Sequence, residues 1–162
     1  MRPFSKSVIP KGDKIMTTQT ISTRQHKSHI ETKTWTQIGL MTAVASIVAV
    51  LIVQALAIAI WPAIALFKPL DSYARSALFV LVPAIGATVA FAWLVSRREQ
   101  PVRDFLSLSA IVLLVSFIPD YILPDANKSL LASTVAAFLH VVAGVITVAL
   151  LIMGYRWQTN QK

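Results

Sequence analysis

Two ionisable residues stand in or beside runs that otherwise carry no charge. Asp120 ends the string "SFIPD" directly after the charge-free run from Phe105 to Pro119, and His140 lies within the run from Ser129 to Tyr155. A carboxylate and an imidazole are side chains that exchange protons or pair with one another. Gln54, inside the run from Thr34 to Phe67, and Arg75, just ahead of the run from Ser76 to Ser96, add hydrogen-bonding capacity. Other chemistry is poorly represented. The chain has no cysteine, which removes disulfides, thiolate metal sites, cysteine lipidation and the redox chemistry of quinone-linked thiol oxidases. The string "HKSH", His26 to His29, has a metal-like spacing but no structured scaffold and no third ligand. One histidine in the apolar runs cannot supply the paired histidines of a b-type haem. No nucleophile motif, phosphate loop or HExxH occurs. No catalytic residue, metal or cofactor is therefore assigned.

The elements that must position these groups are the charge-free runs themselves. Only 14% of the 162 residues are charged and 56% are hydrophobic, against about a quarter charged in a soluble domain. A bilayer-spanning helix needs about 20 mostly apolar residues. Three runs qualify outright, and four in series leave no polar faces to meet water. The fold class read from this is all-α: an integral membrane four-helix transmembrane bundle. Its domain covers residues 34–157, with spans at about 36–62, 75–96, 102–123 and 128–155, and residues 158–162 form a short C-terminal tail.

The third run is the short one. From Phe105 to Ile118 a helix extends about 21 Å, whereas continuing through Pro119 and Asp120 to Leu123 gives about 28 Å, close to the hydrocarbon thickness. The first Pro-Asp pair is thus predicted inside the helix, with Asp120 turned toward protein or water. Pro124 and Asp125, followed by Asn127, read as a turn that starts the fourth span. Ser109, Ser116 and Asp120 share one helix face.

Lys and Arg divide unequally between the two ends. Twelve of the 15 precede span one, separate spans two and three, or follow span four, and only Lys68, Arg75 and Lys128 fall at the other end. The positive-inside rule then puts both termini in the cytoplasm. This placement accounts for the net charge of +8 without nucleic acid, for which the N-terminal region lacks interleaved aromatics. Residues 1–33 are polar, lack periodicity and read as a disordered basic tail. Residues 1–15 read as an extension ahead of a natural start at Met16.

Small residues mark the faces expected to pack. Ala55 and Ala59 (with Ala63) form a small-xxx-small series in span one. In span four Ser133, Ala137, His140, Gly144 and Thr147 recur at spacings of four, three, four and three, which is one helix face pointing into the bundle. Gln54, Arg75, Asp120 and His140 all fall in the outer half and form a candidate polar pocket. Arg75 and Asp120 pairing as a structural clamp is the simpler alternative. From helix ends alone, Asp120 and His140 differ in depth by about 10 Å, so a water or Gln54 is expected between them.

The string "FIPD", the following proline and "AFLHVVAGVI" resemble the second half of a group of small bacterial membrane proteins with four predicted spans. Pro119, Asp120 and His140 match that pattern, mainly across residues 105–155. The resemblance implies a multi-pass protein of the bacterial inner membrane and supplies no activity. The function expected is that of a non-enzymatic small membrane protein, accessory or self-associating. Its partners would be the lipid bilayer, further copies of itself or a larger membrane complex, with no nucleic acid. The alternatives are a small transporter or proton-coupled permeation protein using His140 and Asp120, and a membrane enzyme acting on lipid or quinone.

Overall fold

The computed structural model describes residues 32–122, 124 and 127–161. Tail residues 1–31, the "HKSH" string and Asp125 lie outside them. Four helices follow in order: α1 (Thr32–Ile60), α2 (Tyr73–Arg97), α3 (Pro101–Ile122) and α4 (Leu130–Asn160). Each is long and apolar enough to cross a membrane, and no strand occurs among the described residues. α1 begins four residues earlier than the span read from the sequence, and α4 runs through most of the stretch read as a C-terminal tail. Neither added stretch contains a Gly or Pro to stop the helix.

Local chemistry sets the helix starts. The Ser72 hydroxyl accepts from the Arg75 N–H, and that of Ser129 from the Ala132 N–H, so both serines act as N-caps. Pro101 opens α3, where its missing N–H has no helical partner to lose. α3 continues through Pro119 to Ile122.

The helices form an antiparallel bundle in which α1 packs against α2 and α4 while α3 packs against α4 and, less extensively, α2. The end holding Thr32, the α2–α3 connection and Asn160 is called basal here, and the opposite end apical. At the basal end Phe91 from α2 is fully buried and meets an aromatic ring from each other helix. Trp35 from α1 lies 5.6 Å away, Phe105 from α3 4.5 Å and Tyr155 from α4 5.5 Å. Such offset and edge-on rings stabilise beyond their buried area. Two glycines bring backbones close there. A Cβ at Gly39 would sit 2.6 Å from Thr88, and one at Gly154 2.9 Å from Ile38.

At the apical end the α1–α2 connection folds back onto the bundle in two short 3₁₀ turns, Pro62–Leu66 and Lys68–Leu70. Ile64, Phe67 and Leu70 from it are buried with Val50, Ala57, Val80 and Leu139. Pro62 suits this path because it cannot extend α1 through its absent N–H.

The inward face of α1 carries Ala43, Ser46, Val50, Gln54 and Ala57. Ala55 and Ala59 are exposed, so the close approach expected of them is not made within this bundle. The reason is the buried amide of Gln54: successive helical residues turn by about 100°, so turning Gln54 inward rotates Ala55 and Ala59 away.

Candidate functional site

Asp120 and His140 meet. The His140 Nδ1 lies 3.3 Å from the Asp120 Oδ2 and 2.9 Å from the Ala136 carbonyl oxygen. The depth difference inferred from helix ends is thereby corrected, and neither a water nor Gln54 is needed between them. Two features explain it. A Cβ at Gly144 would lie 3.6 Å from Leu113, and the Asp120 carbonyl accepts a 2.8 Å bond from the Ser133 hydroxyl. These contacts set Asp120 level with residues 133–137 of α4, and the two side chains reach across the remaining distance to His140.

Both neighbours of the His140 Nδ1 are oxygen acceptors, so Nδ1 carries a proton and the free ring nitrogen is Nε2. The shorter contact is the bond donated to Ala136. Asp120 Oδ2 stands within charge-pairing distance, yet it is buried without a well-formed hydrogen bond. The 3.3 Å approach is a close contact of the ring nitrogen with the carboxyl oxygen, longer than the bond to Ala136. Asp120 is only 5% exposed, whereas the His140 side chain is 38% exposed. The carboxylate thus orients the ring from within the bundle while part of the imidazole remains at the bundle surface.

The backbone of Asp120 is held as well. Its carbonyl would ordinarily accept from the N–H four residues on, but that residue is Pro124, which has none. Ser133 supplies the missing donor from α4. The next carbonyl, Tyr121, accepts from the Lys128 ammonium. Two of the orphan acceptors at the end of α3 are therefore satisfied by the residues that lead into and form α4. Phe105 and Asp120 are the residues of α3 that are fully buried, so α3 is anchored near its two ends.

The other predicted pocket residues are engaged elsewhere. Gln54 is 1% exposed and its amide donates to the Leu70 carbonyl at 3.0 Å, tying α1 to the folded-back connection. Ser46 meets Thr147 at 2.9 Å, and continuing that antiparallel register puts Gln54 beside Leu139. It shares the depth of the Asp120–His140 pair without bridging it. Arg75 bonds Asp71 at 2.7 Å and the Lys68 carbonyl at 2.6 Å at the exposed apical rim. The proposed clamp between Arg75 and Asp120 is thus corrected: the residue four positions earlier supplies a carboxylate in solvent, where pairing avoids the desolvation of a buried Arg–Asp bridge. In α4, Ser133, Ala137 and Thr147 are buried, with Gly144 half-buried against Leu113.

Sequence reasoning missed the role of Ser133. The signal was present in Pro124, four residues after Asp120, which leaves that carbonyl in need of a donor. It also missed the aromatic knot, whose members lie far apart in sequence.

The arrangement positions a carboxylate-oriented imidazole, and among the described residues no free serine hydroxyl stands beside it. The hydroxyls of Ser133 and Ser116 both donate to backbone carbonyls. Compared with protein-family models, curated proteins and solved structures, the chain shows no match.

Proposed function

We propose that the chain is a non-enzymatic multi-pass protein of the bacterial cytoplasmic membrane, accessory or self-associating, in which Asp120 is the clasp that docks α3 onto α4. The observation that carries this reading is the convergence on Asp120. Its carboxylate pairs with His140, its carbonyl takes the Ser133 hydroxyl, and it is one of two buried anchor residues in a helix that is otherwise largely exposed. The bilayer setting is supported by the inverted surface. Met41, Leu114, Ile122 and Leu130 are each more than half exposed, while Ser46, Gln54, Asp120, Ser133 and Thr147 are buried. Water would not tolerate so wide an apolar exterior, and lipid covers it. The excess of Lys and Arg in the N-terminal sequence, the α2–α3 connection and the residues from Arg156 on supports a cytoplasmic basal end under the positive-inside rule. The bacterial assignment rests on the resemblance carried by Pro119, Asp120 and His140.

The test is to purify the His140→Leu and Asp120→Asn variants in mild detergent and follow thermal melting and elution, alongside dye-reported proton flux in proteoliposomes. The clasp reading expects lower melting temperatures and no flux above empty vesicles for any form. Proton-coupled permeation is the second reading, favoured by the direct contact of Asp120 with a partly exposed His140. It expects flux by the unmodified chain that both substitutions abolish while assembly stays normal.

A further inference from the structure

The α2–α3 connection offers a surface of a different kind. Two adjoining open grooves, of about 510 and 550 Å³, share Gln100, Arg103 and Ser107. One is mainly polar and adds Arg97, Arg98 and Asp104. The other is mainly apolar and is completed by Pro101, Val102, Leu106 and Tyr155. Glu99 borders both. We propose that this double groove binds one anionic phospholipid, with the phosphate over Arg97 and Arg103 and the start of an acyl chain along Leu106.

The groove's composition selects that ligand. Arg98 stands 3.8 Å from Asp104 and is partly neutralised by it. Arg97 and Arg103 have no ion-pair partner among the described residues, so two guanidinium groups are available for bidentate bonds to phosphate oxygens. The positive end of the α3 dipole and the negative end of the α2 dipole meet at this rim and offset one another, so the attraction rests on the two guanidinium groups. Leu106 is 49% exposed on the outward side of α3, which continues the apolar groove onto the face turned to lipid. A free phosphate would use only the polar half, and a neutral lipid only the apolar half. The chain's own N-terminal segment is unsuited by charge, since residues 1–31 hold six Lys or Arg (positions 2, 6, 11, 14, 24 and 27) against Asp13 and Glu31. Glu99 repels the headgroup from its side and so confines the phosphate toward Arg97 and Arg103.

This proposal requires the four helices to lie in a bilayer and does not depend on the Asp120 clasp. It is tested on the full chain by native mass spectrometry, titrating phosphatidylglycerol or phosphatidylcholine into detergent-purified protein. The Arg97→Gln/Arg103→Gln pair is compared with Lys33→Gln/Arg156→Gln, which removes the same charge from exposed positions at the same end. One phosphatidylglycerol should bind in preference to phosphatidylcholine. The groove pair should weaken it by roughly tenfold or more, given about 1 kcal/mol per basic residue at an anionic lipid surface, while the control pair leaves it unchanged. Equal losses in both pairs would reduce the effect to a diffuse basic field and overturn the site. Equal binding of the two lipids, or full displacement by inorganic phosphate, would overturn the ligand. Carbonate extraction of the unmodified chain from membranes is run in parallel: release by carbonate contradicts the bilayer reading itself, whereas retention with no lipid preference contradicts this proposal alone.

Discussion

The third helix, α3, is held at its basal and apical ends by different physics. Basally, the other three helices contribute one aromatic ring each around Phe91 of α2, and Gly39 and Gly154 let backbones approach until a methyl group would collide. Apically, α1, α2, α4 and the folded-back connection share an apolar cluster that includes Ile64, Phe67 and Leu70, whereas α3 is joined to α4 by polar contacts, Ser133 to Asp120 and Asp120 to His140. Packing of the first kind depends on shape and is lost through cavities or overpacking. The second kind depends on a small number of donors and acceptors, each worth about 0.6 kcal/mol on average inside a membrane protein. α3 thus has a base set by ring packing and a tip set by a few polar contacts.

Substitutions rank by which end they touch. Phe91→Ala should do the most harm, because it empties the centre of the aromatic knot, and a loss of about 3 kcal/mol is expected in reversible unfolding by denaturing detergent. Next come Gly39→Val and Gly154→Val, which drive side chains into Thr88 and Ile38 and should cost about 2 kcal/mol each by the same measurement. Ser133→Ala leaves a buried carbonyl without any donor and is expected to cost about 1 kcal/mol. It should also speed backbone hydrogen exchange at the apical end of α3 and leave the basal half unchanged. At the small end, Gly86→Ala meets nothing within 4 Å and should be neutral or stabilising by up to about 1 kcal/mol through helix propensity. A Gly86→Ala loss comparable to that of Gly154→Val would show that local crowding does not separate these positions.

The helices were legible from the sequence because bilayer-length apolar runs bounded by charge leave few alternatives. The extension of α3 through Pro119 followed from length alone. The pairing within the site was less legible. Charge-free length says where a helix runs but not how far it slides past its neighbour, and the slide of α4 past α3 decided whether Asp120 reached His140. Arg75 shows a second limit, since Asp71 and Lys68 compete for it from a connection whose path no periodicity describes. Ala55 and Ala59 show a third. A small-residue series marks a surface able to pack closely, yet rotation of α1 was set by the buried amide of Gln54.

The central claim is that Asp120 holds the tip of α3 while the aromatic knot independently holds its base. The chain contains no cysteine, so pairs of spin labels can be introduced cleanly. In lipid nanodiscs, one pair at Ile122→Cys and Leu131→Cys reports the apical seam, and a second at Leu106→Cys and Trp157→Cys reports the basal one. With Asp120→Leu added, the apical distance distribution should broaden and lengthen while the basal one stays as narrow as before. An apical distribution unaffected by Asp120→Leu, or equal broadening at both ends, would contradict the clasp.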